Sequence, residues 1–258
     1  MIHHMNPFFG VLIAVAAVAV PQSRVTYVKK ELASAKIPTT YVNSLFSDKR
    51  LKVYAPATVK KKISVDFVKL GANILAISSV EQGKKFIEEN KKALESVEKE
   101  YGVPKEDIAA IIRVESNFGK FLGSTTVFNV FYTGLALDSA KEWKWDAANL
   151  VALAKYCYQT KTDCFSIKGS YAGAFGLSQF LPHSVIEWGV DGDKNGIIDP
   201  FDAEDSIAST ANFLKEHGWQ VDKKKALAKY YGGGTAYSKT ILKYSDALKK
   251  KPSAKTKK

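Results

Sequence analysis

The chain has 258 residues, 46% hydrophobic and 25% charged, enough for one substantial core or a core with a small appended lobe. Gly and Pro are ordinary in number, which excludes collagen-like and low-complexity chains. Lys plus Arg exceed Asp plus Glu by 38 to 26, and the formal charge of +12 favours a polyanionic partner, whether nucleic acid, anionic lipid or cell wall. Two cysteines are too few for a cysteine zinc site or an iron–sulfur cluster, and His3 and His4 at the terminus leave only His183 and His217 for a folded body.

In chain order, Phe8 to Val20 is an unbroken apolar-plus-Gly run of thirteen residues closed by Pro21. It is shorter than the roughly 20 residues of a membrane-spanning helix and fits the apolar core of a secretory signal over residues 1–20. Ala14, Ala16, Ala17 and Ala19 supply cleavage-site patterns, although the leading segment lacks Lys and Arg. An uncleaved anchor or a buried core helix is the competing reading. Export to the periplasm or cell envelope is the expectation, and it bears on Cys157 and Cys164. On one straight helix these would sit about 10 Å apart, beyond disulfide reach. The polar stretch between them could end the helix near Thr160 and fold back, and an oxidising compartment favours the disulfide over two thiols.

Residues 24–80 are expected to form an N-terminal helical part. Ile63, Val65 and Phe67 alternate with polar residues over too short a run to decide strand over helix, and Lys60 to Lys62 read as a solvated turn. Apolar Phe86, Ile87, Leu94, Val97 and Tyr101 predict one helix over 81–101, with Ser78 and Glu81 as a capping box. A second helix opens at Pro104, carries Glu106 and Asp107 near its positive end, and stops at Gly119. Further helices are predicted at about 143–159, 182–189, 206–217 and 236–249. Residues 249–258 hold six lysines without apolar periodicity and read as a disordered basic tail. The folded body is then only mildly basic, which weakens a nucleic-acid reading.

Glu115 is the most informative residue. The apolar stripe of the helix from Pro104 runs through Ile108, Ile111 and Ile112, and its next position is Glu115. A glutamate turned inward loses water, its pKa rises, and it becomes fit to act as a general acid. The structural alternative is a buried ion pair with Arg113 or a lysine. Two glycine-rich segments follow. Gly169 to Pro182 includes Ser170 and Gln179 among closely spaced glycines that let backbone approach a ligand. Tyr230-Tyr231-Gly232-Gly233-Gly234-Thr235-Ala236-Tyr237 is a glycine turn between aromatics, suited to sugar rings.

Glu-Ser-x-x-Gly, then Gly-x-x-Gly-Leu-x-Gln, then an aromatic–glycine turn, in that order, resembles the lysozyme-like lytic transglycosylases. The longer string resembles the membrane-bound lytic murein transglycosylase B family over most of 80–245. It runs Tyr101-Gly-Val-Pro104, Val127-Phe-Asn129, Lys168-Gly-Ser-Tyr-Ala-Gly-Ala-Phe-Gly, Gln179-Phe-Leu-Pro182 and His217-Gly-Trp219. The resemblance implies that Glu115 is the single catalytic glutamate and that Ser170 and Gln179 contact the sugar near the scissile bond. Tyr237 and either Tyr231 or Tyr230 would be the cleft tyrosines. The family places Asn after the first of them; here Gly232 follows Tyr231, and Tyr231 follows Tyr230. The chain also lacks an inserted lobe between Trp219 and Tyr230.

Asp191-Gly-Asp193-Lys-Asn195-Gly196-Ile197-Ile198-Asp199-Pro-Phe-Asp202 matches an EF-hand loop, with oxygen donors at positions 1, 3, 5, 9 and 12, Gly at 6, and the Ile197 carbonyl at 7. Asp202 stands where a longer Glu is usual. The alternative is a polar Asp-Gly and Asn-Gly turn. A structural calcium ion, and no organic cofactor, is the expectation.

The fold expected is mainly α: a lysozyme-like catalytic domain over 81–248 with an EF-hand-like loop and additional N-terminal helices. The resemblance implies a monomer that cuts the β-1,4 bond between N-acetylmuramic acid and N-acetylglucosamine in peptidoglycan, leaving 1,6-anhydro ends, with Glu115 as acid and then base. A two-carboxylate glycosidase would need a second acid such as Asp138 or Asp146, and nothing marks either. A lysozyme-type muramidase and a non-catalytic, calcium-stabilised glycan-binding module are the alternatives. A serine hydrolase is disfavoured because Gly176-Leu-Ser178-Gln-Phe180 lacks the closing glycine. No nucleic-acid motif accompanies the charge, and the lysine tail fits contact with anionic wall or membrane.

Overall fold

A helix apolar on every side has to be wrapped by others, and Ile108, Ala109, Ala110, Ile111 and Ile112 retain no exposed surface. The computed structural model describes residues 19–59, 66–137, 139 and 142–250. The expected signal segment up to residue 18, the lysine turn at 60–62, Ile63, Val65, Asp138 and the tail beyond 250 lie outside the described residues. The elements begin with α1 (Gln22–Ser34), α2 (Thr39–Ser47), α3 (Pro56–Val59), α4 (Phe67–Ile74), α5 (Ile77–Glu89), α6 (Lys91–Tyr101) and α7 (Lys105–Ser116). Then come β1 (Thr125–Thr126), α8 (Val127–Leu137), α9 (Trp143–Thr160), β2 (Lys168–Gly169), α10 (Pro182–Trp188), α11 (Ala203–Glu216), α12 (Lys223–Tyr231) and α13 (Thr235–Lys249). The fold is mainly α, with α7 at the centre and α5, α6, α11 and α13 packed around it. No helix among the described residues is long and apolar enough to cross a membrane.

Several boundaries differ from the sequence pattern for local reasons. The helix expected over 81–101 is two helices, α5 and α6, broken at Asn90, whose side-chain amide donates to the Phe86 carbonyl at 2.9 Å. Ala76, not Ser78, precedes the first turn of α5, so the capping box is absent. Pro104 caps α7 from outside, and α7 ends at Ser116 because Asn117 and Phe118 turn left-handed, with φ of 51° and 57°, before Gly119 is reached. Helix α11 starts at Ala203, behind Asp202, whose carboxylate accepts from the Glu204 and Asp205 amides. Helices α8 and α12 were not foreseen. In α8 most residues are buried, so no polar face marks a period.

The N-terminal segment is helical and stitched to the body through polar side chains. Asn129 accepts from the Lys52 amide at 3.2 Å and donates to the Arg50 carbonyl at 3.0 Å, while Thr133 accepts from the Tyr54 amide at 2.9 Å. These side chains of α8 satisfy backbone groups that have no ladder of their own. Farther along, Lys161 takes φ 58° at the end of α9 and turns the chain back. Cys157 and Cys164 are thereby brought to a Cα separation of 5.5 Å and joined as a disulfide. The returning chain forms β2, which pairs antiparallel with β1, Thr125 opposite Gly169 and Thr126 opposite Lys168.

Candidate active site

Glu115 stands in the last turn of α7 and is half-buried. Tyr237, buried in the first turn of α13, donates its hydroxyl to Glu115 Oε1 at 2.6 Å. Burial pushes the Glu115 carboxyl up to about 7, against the opposing pull of that hydrogen bond. The acid is thus held near the point where it gives or takes a proton at neutral pH. Arg113, the cation that would have made this a structural ion pair, points elsewhere and donates to Ser79 Oγ at 2.9 Å.

Three tyrosine rings lie nearly parallel beside the carboxyl. Tyr231 and Tyr237 stack with centroids 4.9 Å apart, and Tyr230 lies 6.4 Å from Tyr237 on an almost parallel plane. The reversal that brings α12 and α13 into this arrangement needs Gly232, Gly233 and Gly234, all at positive φ. The structure separates the two candidate tyrosines. Tyr230 turns inward, donates its hydroxyl to the Ser178 carbonyl at 2.8 Å, and packs on Phe180 and Phe213. Tyr231 is 44% exposed and presents a ring to solvent. Burial first, and then the Glu115 charge, raises the pKa of all three phenols and keeps them protonated as donors. Phe67 at the start of α4 closes this wall, edge-on to Tyr231 at 5.4 Å and to Tyr237 at 6.4 Å. The sequence showed Phe67 only as the end of a short apolar alternation, which carries no sign of a cleft.

Ser170 and Gln179 hold their own loop together. Ser170 Oγ accepts from the Ala174 amide at 3.1 Å, which leaves its hydroxyl proton free to donate outward. Gln179 sits at φ 49°, and its Nε2 donates to the Gly176 carbonyl at 2.9 Å, leaving Oε1 as an acceptor. The loop reaches the tyrosines through the Ser178 carbonyl, which accepts from the Tyr230 hydroxyl. It reaches the acidic loop through the Leu177 amide, which donates to the Pro200 carbonyl at 2.8 Å. A groove of about 530 Å³ lined by Leu122, Gly123, Lys168, Ile197, Asp199 and Phe201 lies between the acidic loop and the chain returning from α9, apart from Glu115 and the tyrosines.

The acidic loop brings together a different set from the twelve-residue pattern. Carboxylate oxygens of Asp191, Asp193 and Asp205 lie within 4.8 Å of one another. Asp202, expected at the last ligand position, is instead the N-cap of α11, accepting at 2.7 and 3.1 Å. Asp205, one turn on, is fully buried and faces the loop, accepting from Gly192, Asp193 and Asp199 amides. Reading Asp202 with Asp205 three residues later as an N-cap pattern was the signal that could have found this. Asn195 and Asp199 accept from local amides, of Ile197 at 2.8 Å and Phe201 at 2.9 Å, and Ile197 projects a half-exposed side chain. Oxygen donors alone, three of them charged, fit a hard divalent cation.

A half-buried acid under a tyrosine stack, linked to a glycine-rich polar loop on a helical fold, is the arrangement of a lysozyme-like domain. The particular family follows from comparison: residues 21–251 match the Transglycosylase SLT domain, and the chain belongs to that family. Membrane-bound lytic murein transglycosylase B of Escherichia coli (strain K12) is 33% identical over 141 residues, 55% of this chain and 39% of that relative. The chain therefore matches about two fifths of the length of this curated relative. The Escherichia coli lytic transglycosylase Slt35, solved in complex with calcium, superposes with a TM-score of 0.75 at 19% identity, covering 87% of this chain and 92% of its own. SltB3 from Pseudomonas aeruginosa, solved with NAG-NAM-pentapeptide, gives 0.76 at 20% identity, with coverages of 88% and 79%. These likenesses establish the lysozyme-like lytic transglycosylase fold.

Proposed function

We propose that the chain is an exported peptidoglycan lytic transglycosylase of the cell envelope, cutting between N-acetylmuramic acid and N-acetylglucosamine to leave 1,6-anhydro-muramyl ends. The observation that carries this reading is the Glu115 carboxyl, lifted to about 7 by burial and held by one hydroxyl. Glu115 donates its proton to the glycosidic oxygen as the bond to the anomeric carbon breaks. The resulting carboxylate takes the proton of the muramyl C6 hydroxyl as that oxygen bonds to the anomeric carbon. One proton leaves and one returns, so no water is consumed. The muramyl acetamido group assists the first step. Tyr237 holds Oε1 and leaves the second carboxyl oxygen for the substrate; exposed Tyr231 offers a stacking face, and Ser170 and Gln179 offer a donor and an acceptor.

A single acid accounts for both transfers, and Asp146 is engaged elsewhere, buried on α9 against Gly134 of α8. The cation that fits the acidic loop is calcium, held by Asp191, Asp193 and Asp205 with the Asn195 side chain and the Ile197 carbonyl. When bound it cross-links the loop that supports Pro200 and takes no part in proton transfer. The binding of calcium by a neighbour of the same fold supports this.

Mass spectrometry of soluble fragments from purified peptidoglycan tests the reaction. Ends lighter by one water than reducing ends, and lost in Glu115→Gln, are the expected result. Reducing ends would move the protein to the lysozymes. Absence of fragments across pH and calcium would leave a glycan-binding module.

A further inference from the structure

The positive charge of the molecule is concentrated in one stretch of its sequence. Residues 219–258 contain twelve lysines against two aspartates, a net +10, whereas the preceding 218 residues carry a net of only +2. The sequence tail accounts for part of this; the rest lies on α12 and α13. Lys224, Lys225 and Lys229 are exposed on the outer side of α12, opposite its buried Ala226 and Leu227. Lys239 and Lys243, one turn apart, are exposed on α13, while Tyr237, Ile241, Tyr244 and Leu248 face the core.

The two helices form one unit, joined by the glycine turn and by Ser238 Oγ, which donates to the Lys224 carbonyl at 2.9 Å. The two aspartates offset only part of this charge. Asp222 caps α12 through the Lys225 amide, and Asp246 pairs with Lys249 at 3.7 Å. None of the ion pairs among the described residues uses the five lysines of the outer face. A like-charged face of this kind repels itself and attracts polyanions.

Its position selects the polyanion. The same two helices carry Tyr231 and Tyr237 at their turn, so a polymer held on the lysines is tethered to the elements that border Glu115. A lipid surface docked there would have no glycosidic bond to offer; a peptide-substituted glycan carries free carboxylates on its peptides along the strand. Ammonium groups on flexible stems suit such a dispersed array of carboxylates. We infer that the α12–α13 face is a docking surface for the carboxylate-bearing peptides of insoluble peptidoglycan, an assignment that rests on the substrate reading above. It holds the polymer while the cleft works on the glycan.

The test is co-sedimentation of the full chain with purified peptidoglycan across a salt series, beside fragment release from the polymer and from short peptide-free glycan. Wild-type binding is expected to fall steeply with salt, and to fall on sacculi whose carboxylates have been amidated. Replacing the five lysines by glutamine (K224Q, K225Q, K229Q, K239Q, K243Q) is expected to weaken binding at least about tenfold, with Tm and turnover of peptide-free glycan unchanged. Unchanged binding in the folded variant, equal binding to amidated sacculi, or stronger retention on phosphatidylglycerol vesicles than on peptidoglycan would each overturn the inference. The salt and amidation arms use wild-type protein and decide the matter if the variant misfolds. Binding that passes every arm while no fragments are released would retire the catalytic reading and leave the docking surface standing.

Discussion

Glu115 and Asp205 are both acids removed from water, and their surroundings differ in one respect that matters. Asp205 accepts from three backbone amides, of Gly192 at 2.7 Å, Asp193 at 3.4 Å and Asp199 at 2.6 Å. Those donors are fixed and cannot accept, so they oppose the rise in pKa that burial causes. Glu115 accepts from one phenol, whose hydroxyl can donate or accept as the carboxyl changes state. Burial makes either residue unusual. The kind of donor decides which is built to stay ionised and which to shuttle a proton. The two regions are also joined, since the Pro200 carbonyl accepts from the Leu177 amide and from Ser206 Oγ, at 2.8 and 2.9 Å.

The strongest way to break this contrast is Glu115→Gln. Fragment release is expected to drop by about 10²- to 10⁴-fold, with the fold intact. Stability supplies a second reading. Below the ordinary carboxylate range, Glu115 is protonated in both folded and unfolded chains and costs nothing. As pH rises toward about 7, the unfolded chain ionises first, so the wild type loses stability, and the loss is complete above that value. The glutamine variant escapes it and is expected to be the more stable at pH 8, by on the order of 3 kcal/mol at most, and equal at pH 3. Thermal unfolding across that range checks this; a pH-independent difference would show that the acid is not held protonated.

Gly176→Ala probes the junction. Gly176 sits at φ +77°, and an added methyl would run into the Pro200 carbonyl. Strain and displacement together are expected to cost about 3 kcal/mol. Activity and the calcium-induced rise in Tm should fall together; loss of one alone would show that the cleft and the acidic loop work independently. Tyr237→Phe is subtler. It removes the hydrogen bond that lowers the Glu115 pKa, so the descending limb of the pH–rate profile is expected to move to higher pH, as kcat/KM measurements would show. A limb that stays in place would assign it to another group.

Much of this was legible because it depends on local pattern. The stripe Ile108, Ile111, Ile112 pointed Glu115 inward without any knowledge of what it meets. The glycines at 232–234 announced a turn, and the loop from Asp191 announced its oxygen donors. Choosing between Tyr230 and Tyr231 required the partner of the Tyr230 hydroxyl, 52 residues away in sequence. Phe67 reaches the cleft only through tertiary packing, and α8 hid because a helix buried on nearly all sides has no polar face to give it a period. Asp202 is ambiguous for a different reason: one carboxylate fits two local rules, a ligand position and a helix cap, and in the structure it caps α11.

That last choice yields the smallest and most discriminating comparison. Asp202→Ala removes a helix cap and is expected to cost about 1 kcal/mol, seen as a lower Tm with or without calcium. The increment in Tm on adding calcium should survive, because the carboxylate engages the Glu204 and Asp205 amides rather than the loop interior. Asp205→Asn is expected to weaken the bonds to three loop amides, cost about 1 to 3 kcal/mol, and abolish the calcium increment. The opposite outcome, an increment lost with Asp202 and kept with Asp205, would restore the twelve-residue loop and show that Asp205 serves the backbone alone. If both increments survive, the three carboxylates are not the cation site, and the contrast between a structural acid and a proton-transferring one rests on hydrogen bonding without any metal.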